Sequence, residues 1–304
     1  LPTDKPRPLV QTFDGSRLPI FFSETLQDKL QAFSRENEVT LFVTLLSAFK
    51  TLLYRYTGQT DLVVGSPVLN RGMPEVEQLI GSFINTLVLR TNCWGKASFR
   101  DTLLTVRQSC VGALAHQEFP FEKLVEELQP ERDLAQNPIF QVMFAFQNRG
   151  LSKVELPKLR CEPLEIDSAM TKVDLTYSLV EREHGISGYI EYSTDLFNRD
   201  RIERMVGHYR TLLEAIVSDP DQSIATLPIL TEAERHQLLM EWNDTAADYP
   251  KDKCIHQLFE EQVEHTPEAI ALEFEDQQIT YRELNRRANQ LAHYLITLGI
   301  GPEK

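Results

Sequence analysis

The sequence has few cysteines and no long apolar run. Its four cysteines are Cys93, Cys110, Cys161 and Cys254. None of them forms a C-x-x-C pair, so the spacing of a zinc site is absent. Scattered cysteines are typical of a reducing compartment, and they predict buried, unreactive thiols and a cytoplasmic location. The longest apolar stretch, residues 41–56, is interrupted by polar side chains such as Lys50, which argues against a membrane span.

Basic charge is also scarce. The formal net charge is -14, and no cluster of lysine and arginine forms a stripe that would attract nucleic acid or an anionic membrane. The charge is unevenly distributed, because residues 230–304 carry 15 acidic and only 7 basic side chains. This asymmetry predicts that the C-terminal quarter is a linker followed by the start of another domain. Because the chain begins at Leu1 and not at methionine, we expect it to be part of a longer polypeptide.

Motifs that identify common enzyme classes are missing as well. The sequence contains no G-x-S-x-G nucleophile elbow, no Walker motif and no dinucleotide-binding glycine pattern. Its seven histidines include no adjacent pair and no pair with metal-ligand spacing on a helix. Judged from residue patterns alone, the sequence therefore offers no complete catalytic constellation.

Hydrophobic periodicity predicts strands that alternate with helices, which is typical of α/β or α+β domains. We expect three parts: a domain over residues 1–229, a linker over 230–254 and a second domain beginning at 255–304. A helix is predicted to start after Thr40 and to end at Gly58, and another to be capped by Ser98 and Asp101.

Strand signals occur between these helices. The pair Asp14 and Gly15 indicates a hairpin turn, and residues 80–91 read as one long strand. A second hairpin is predicted around His184 and Gly185. In the C-terminal segment we expect a helix, a two-stranded hairpin and a final helix.

Three segments stand out chemically. The first is Ile80-Gly-Ser-Phe-Ile-Asn85-Thr86, where strand alternation would place Phe83 and Asn85 on one face. An amide among apolar neighbours either finds hydrogen-bond partners in the core or faces a substrate channel, and the sequence leaves both interpretations open. The second is His116-Gln-Glu-Phe-Pro-Phe-Glu122, and the third is Arg132-Asp-Leu-Ala-Gln-Asn137-Pro138. Spacing alone favours simple packing for the second segment and a structural ion pair for the third.

Taken together and in this order, the three segments resemble the C-terminal half of a nonribosomal peptide synthetase condensation domain. That family carries patterns similar to (I/V)-G-x-F-(V/I)-N-T, H-Q-(D/E)-(Y/F)-P-F-E and R-D-x-x-x-N-P. Residues 1–8 resemble the connector between the two lobes of such domains. Trp242-Asn-Asp-Thr245 resembles the linker into an adenylation domain, and Ile279-Thr-Tyr-Arg-Glu-Leu284 resembles that domain's first core motif.

The resemblance implies a chloramphenicol acetyltransferase-like lobe, a two-layer α/β sandwich, that forms one wall of a tunnel. It implies substrate-channel roles for Asn85 and Ser66, with Thr86 supporting Asn85 and with Ser66 near a segment that crosses to the other lobe. The residues with implied structural roles are Gly81, Phe83, His116, Pro120, Phe121, Glu122, Arg132, Asn137, Pro138, Tyr281 and Glu283. No metal site is implied.

The family's catalytic H-H-x-x-x-D-G motif has no counterpart in this sequence, so we expect the isolated chain to be inactive. The implied partners are donor and acceptor carrier proteins with phosphopantetheine arms, the N-terminal lobe and the remainder of an adenylation domain that uses ATP and Mg²⁺. Two interpretations remain open: part of an active condensation site, or a degenerate lobe that only docks carrier proteins. A free coenzyme-A acyltransferase is disfavoured by the adenylation linker.

Overall fold

The computed structural model describes residues 1–71, 74–77, 79–93, 95–131, 133–147, 169–248 and 250–301. Contacts divide the chain into two units, Leu1–Leu238 and Leu239–Lys304, which are described separately below as the first unit and the second unit. None of the helices in these described ranges combines the length and apolarity needed to cross a membrane.

The first unit contains one six-stranded sheet. Its strands are β1 (Gly15–Ser23), β2 (Asp61–Val68), β3 (Asn85–Asn92), β4 (Val142–Gln147), β5 (Leu175–Arg182) and β6 (Gly185–Ser193). Their order in space is β1-β6-β5-β4-β2-β3. Strand β4 runs parallel to both β2 and β5, whereas the other neighbours are antiparallel. The sheet is therefore mixed, and the carboxyl ends of β2 and β4 lie at the same edge.

Helices lie between and after the strands of the first unit. They are α1 (Glu24–Glu36), α2 (Leu41–Thr57), α3 (Pro74–Glu77), α4 (Phe99–Leu114), α5 (Phe121–Leu128), α6 (Arg199–Ser218) and α7 (Glu232–Leu239). Helix α2 packs against α4 and α6, and helices of this layer contact strands β1, β2, β3 and β6. This arrangement is the two-layer α/β lobe that the family resemblance implies.

An aromatic cluster marks the centre of the core between the two layers. The ring of Phe49 on α2 lies 4.6 Å from that of Tyr177 on β5 and 5.4 Å from that of Phe144 on β4. Tyr209 on α6 packs edge-on against Tyr177 at 5.4 Å, and its hydroxyl donates to the carbonyl of Leu45. These four rings are almost fully buried. Burial of aromatic surface of this size provides much of the driving force that holds helices on a sheet.

Several local predictions are confirmed. Ser98 and Asp101 form a reciprocal capping box at the start of α4. Helix α2 ends at Gly58, whose φ of +69° is the left-handed conformation that a glycine adopts without steric cost. The hairpin around His184 and Gly185 joins β5 to β6.

Two strand predictions are wrong. Asp14 and Gly15 do not form a hairpin turn, because Gly15 begins β1, which pairs along its whole length with β6. The glycine is needed there for close approach, since a Cβ atom would lie 2.8 Å from the backbone of Met170 and Thr171. The strand expected over residues 80–91 begins only at Asn85. Carbonyl groups just before it accept hydrogen bonds from Arg71 and so are not available to a ladder.

The cysteine prediction holds only in part. Cys93 and Cys110 are buried, and burial raises the pKa of each thiol to about 11. Cys254 is exposed, since it precedes a helix of the second unit, whose side chains have no core to enter. Cys161 lies outside the described residues.

The second unit contains two helices, a short 3₁₀ helix and a hairpin within its described residues. They are the 3₁₀ helix Glu241–Asn243, α8 (Ile255–His265), β7 (Ile270–Phe274), β8 (Gln277–Thr280) and α9 (Tyr281–Thr297). This element order is the one predicted from the sequence. No side chain within residues 239–248 and 250–301 is buried, so this unit has helices and a hairpin but no closed core.

Candidate functional site

Asn85 joins the first and second motif segments. Its side-chain Nδ2 donates to the carbonyl oxygens of Gln117 and Phe119, each at 2.8 Å. Its Oδ1 accepts from the backbone N–H of Phe121 at 3.1 Å. The amide is thus hydrogen-bonded on both sides to the loop that connects α4 to α5. The sequence leaves two interpretations of this amide open. The contacts show that both of its polar atoms have hydrogen-bond partners, and a role in a substrate channel stays a prediction.

The contact with Phe121 also caps a helix. Pro120 occupies the N-cap position of α5 and provides no side-chain cap. The first turn of a helix carries backbone N–H groups without intrahelical partners, and the side-chain oxygen Oδ1 of Asn85 accepts from the first of them. Asn85 therefore fixes where α5 begins.

The chain just after the third motif segment contacts the start of α5 through aromatic packing. The ring of Phe121 lies 5.4 Å from that of Phe140, two residues after Pro138. Upstream of this ring, Asn137 donates from Nδ2 to the carbonyl of Lys172 and accepts from Gln141 at its own carbonyl. These contacts connect the loop of Asn137 to the segment that precedes β5, and its structural role in the family stays a prediction.

The placement of Thr86 differs from the expectation that it supports Asn85. Successive residues of a strand point to opposite faces of the sheet, and Thr86 follows Asn85 directly in β3. The amide partners of Asn85 lie in residues 117–121 instead. Ser66, in contrast, is buried at 3% exposure and stands opposite Leu87 in the β2–β3 register, on the face that the helices cover.

Arg71 organises the loop before β3, although sequence reasoning gave it no specific role. Its guanidinium donates to the carbonyl groups of Leu79 at 2.8 Å and of Gly81 at 2.9 Å. The same group lies 4.4 Å from the ring centroid of Phe83, a favourable cation–π distance. Phe83 therefore packs on Arg71 and does not share a strand face with Asn85.

Two of the remaining motif residues, His116 and Glu122, have surface positions. They are exposed at the end of α4 and in the first turn of α5. Pro138 is partly buried, and its carbonyl accepts from Phe140 at 2.8 Å. Arg132 lies outside the described residues, so its expected ion pair stays a prediction.

In the second unit, Tyr281 and Glu283 stabilise the start of α9. Tyr281 donates its backbone N–H to Ala269 and packs its ring 6.0 Å from that of Phe259. Glu283 accepts hydrogen bonds from Arg286 and Arg287, and these two arginines lower the pKa of its carboxyl group to about 2. Both residues thus have local contacts, and the structural role implied for them by the resemblance stays a prediction.

His208 is a buried histidine to which the sequence analysis assigned no role. His208 on α6 is 9% exposed; its Nδ1 lies 2.5 Å from the hydroxyl of Tyr56, and its Nε2 lies 2.9 Å from Oε1 of Glu234. Glu234 also accepts from Thr231 at 2.7 Å. Two sequence features could have indicated this contact. The spacing Thr231-x-x-Glu234 is that of a capping box, and His208 is next to Tyr209 on the apolar face of its helix.

The described residues hold no group of three histidine, cysteine, aspartate or glutamate side chains that could bind a metal ion. The geometry instead defines a class of protein. A two-layer α/β lobe, with its motif segments joined at one edge of the sheet, is a chloramphenicol acetyltransferase-like domain.

Comparison with known protein families shows which family the chain belongs to. Residues 1–239 match the condensation domain family, and residues 259–304 match the AMP-binding enzyme family. The chain therefore belongs to the condensation domains of nonribosomal peptide synthetases and continues into the start of an AMP-binding domain.

Two curated relatives illustrate this membership. The chain is 48% identical over 305 residues to one of the linear gramicidin synthase subunits of Brevibacillus parabrevis, a match that covers 100% of the chain and 6% of the relative. It is 46% identical over 303 residues to malpinin synthetase of Mortierella alpina, covering 100% of the chain and 4% of the relative. The chain thus spans only a small part of the length of these synthetases.

Solved structures agree. A four-domain nonribosomal peptide synthetase, crystallised in its holo form with AMP and glycine, has a TM-score of 0.80 and 26% identity; the match covers 98% of this chain and 24% of that one. The X-domain from teicoplanin biosynthesis has a TM-score of 0.70 and 27% identity, covering 76% of this chain and 53% of that one.

Proposed function

We propose that this chain forms one wall of a condensation site in a nonribosomal peptide synthetase, next to a domain that activates an amino acid. The observation that carries the proposal is the order of the two family matches, a condensation domain over residues 1–239 followed by an AMP-binding enzyme over 259–304. The partners are donor and acceptor carrier proteins, an N-terminal lobe and the remainder of the adenylation domain.

In the proposed reaction, the amine of an acceptor aminoacyl group attacks the carbonyl carbon of a donor thioester. A C–N bond forms, the C–S bond breaks, and the proton lost by the amine ends on the departing sulfur. Both groups arrive on phosphopantetheine arms, which are substrates here and not resident cofactors. Holding the two groups in contact supplies much of the rate, since effective molarities of well-oriented pairs reach about 10⁵ M or more.

The chain's own contribution is positional. Its sequence contains no adjacent histidine pair, so the group that handles the amine proton belongs to the opposing lobe in this proposal. The edge where Asn85 holds the loop before α5, and where Ser66 is buried, gives the shape of one wall. ATP and Mg²⁺ belong to the adenylation domain as a whole, and we assign them to none of the described residues.

A segment exchange tests the proposal. This chain would replace the corresponding segment of a condensation–adenylation–carrier protein, and dipeptide formation from two loaded carrier proteins would be followed by mass spectrometry. The parent protein with its own segment is the control. We expect the exchanged protein to form the dipeptide, and the isolated chain to give none above the blank.

Two results would contradict this expectation. Turnover by the isolated chain would show that the opposing lobe is not needed. An exchanged protein that folds, activates its amino acid and binds carriers, but makes no dipeptide, would favour the alternative, a lobe that only docks carrier proteins.

A further inference from the structure

A cavity of about 190 Å³ lies in the first unit between helices α2 and α4 and strands β2, β3 and β4. Its floor is deeply buried, because Leu89 is 1% exposed, Cys110 2% and Ser66 3%. Its rim is more open and includes the partly buried Phe42 and Leu114, which is 47% exposed. The cavity is therefore a recess with a closed base and an accessible mouth.

The lining is apolar and uncharged apart from one hydroxyl group. Burial raises the pKa of Cys110 to about 11, so this thiol is neutral at the floor. Ser66 is the polar side chain of the lining, and it is 3% exposed. A hydroxyl group in an otherwise apolar recess can form a hydrogen bond with a polar atom of a bound ligand.

The recess opens near the edge where the motif segments meet. Val68, at the end of β2, lines the recess and stands opposite Asn85 in the β2–β3 register. Strand β4 runs parallel to β2 and contributes Phe146 near its own carboxyl end. Crevices at the carboxyl ends of parallel strands are common ligand sites in α/β sheets.

The volume limits what the recess can hold. Pockets that enclose a whole drug-sized ligand start at about 300 Å³, so this recess suits a single side chain. A compact side chain such as leucyl or phenylalanyl fits this description, whereas an extended chain such as octanoyl is too long to enter it fully. Because no charged residue lines the recess, a lysyl or glutamyl side chain would lose its hydration without compensation.

We propose that this recess binds the apolar side chain of one aminoacyl group, with Ser66 donating a hydrogen bond to a carbonyl oxygen of the same group. This inference rests on the proposed function, since it assumes that an aminoacyl thioester reaches this edge of the sheet. It assigns a preference for apolar residues, such as leucyl or phenylalanyl, to this wall of the site.

Binding to the full 304-residue chain tests the recess directly. Leucine methyl groups would be isotope-labelled, and N-acetylcysteamine thioesters of leucine, alanine, lysine and octanoic acid would be titrated while methyl resonances are recorded. We expect saturating shifts at Leu87 and Leu114 with the leucyl thioester. Each methylene that is buried strengthens binding about fourfold, so the alanyl thioester should bind at least tenfold more weakly. The lysyl and octanoyl thioesters should not bind more tightly than the alanyl one.

Variants of the recess separate it from the rest of α4. Leu114→Phe fills the mouth and should weaken binding of the leucyl thioester at least tenfold. Val111→Phe is the matched control, since Val111 lies on the same helix, is 60% exposed and does not line the recess. Ser66→Ala should weaken binding about threefold to tenfold by removing the hydrogen bond.

Any of three results would overturn the inference. The first is the absence of a saturating shift at Leu87 and Leu114, and the second is an equal effect of Leu114→Phe and Val111→Phe on binding. The third is tightest binding of the octanoyl thioester. Failure of the proposed function looks different. The exchanged synthetase could make no dipeptide while the chain still preferred the leucyl thioester. In that case the recess would be a binding site for an apolar side chain, and the proposed role of the chain in condensation would be wrong.

Discussion

The hydroxyl of Tyr56 on α2 donates a hydrogen bond to Nδ1 of His208 on α6. The direction follows from the other ring nitrogen, which faces the carboxylate of Glu234 and so carries the proton. Burial raises the pKa of Tyr56 to about 12, which keeps the phenol protonated and able to donate. Burial also tends to raise the pKa of Glu234, but hydrogen bonds from Thr231 and His208 outweigh this and lower it overall. The chain Tyr56–His208–Glu234 thus holds helix α7 on the first unit.

Removal of Glu234 should therefore release α7. We expect Glu234→Ala to lower the free energy of unfolding by about 1–3 kcal/mol, because His208 is left buried without one of its partners. Hydrogen exchange in residues 232–239 should accelerate. Glu232→Ala is the matched control, because Glu232 is exposed in the same helical turn, and a change within about 0.5 kcal/mol is expected. Equal effects of the two substitutions would contradict the role given to His208.

Asn85→Asp tests the connection between the motif segments. An aspartate would place a carboxylate oxygen against the carbonyl groups of Gln117 and Phe119, where the amide now donates. We expect a loss of about 1–3 kcal/mol in the free energy of unfolding and faster hydrogen exchange over residues 117–122. Asn92→Asp, at the exposed end of the same strand, should change neither quantity. Unchanged exchange in Asn85→Asp would mean that the amide does not hold the loop.

Lys50 predicts a dependence of stability on pH. Its ammonium group is buried and donates to Thr91 and to the carbonyl of Leu89, without a carboxylate partner in the described hydrogen bonds. Burial lowers its pKa from 10.5 to about 8. Between these two values the unfolded chain binds more protons than the folded chain, so stability rises with pH.

The measurement compares wild type with Lys50→Met by urea unfolding. Between about pH 7.5 and about pH 9, the free energy of unfolding of wild type should rise by about 1 kcal/mol more than that of the variant. The comparison is needed because the raised pKa values of Cys93 and Cys110 oppose the effect above about pH 9 in both proteins. Parallel pH profiles would contradict a buried, partly neutral lysine.

Limited proteolysis tests the proposed domain boundaries, 1–229, 230–254 and 255–304. Residues 244–248 and 250–254 are exposed and outside helices and strands, so the first cut should fall there. The released C-terminal piece should be degraded quickly, because its described side chains form no buried core. Mass spectrometry of the digest identifies the cut. A C-terminal piece that persists and melts cooperatively would place the boundary elsewhere.

Much of the fold could be predicted because its signals are local. The cap of α4 at Ser98 and the end of α2 at Gly58 depend on backbone groups within a few residues, which sequence spacing reports directly. The pairing of β1 with β6 could not be predicted, since the two strands are separated by most of the first unit and the turn signal at Asp14 pointed to a local partner. The start of β3 depended on Arg71, whose hydrogen bonds reach across the loop.

The family, the order of most elements and the positions of the motif segments could be inferred without coordinates, because ordered motifs and periodic apolar residues are properties of the sequence. The contacts of those residues follow from the packing of the folded chain. This packing gave the amide of Asn85 three backbone partners from another element, brought Tyr56, His208 and Glu234 into one chain of hydrogen bonds, and left Ser66 at the floor of an apolar recess. The physical reason is that these contacts join residues 26 to 152 positions apart, a distance in sequence over which local propensity carries no information.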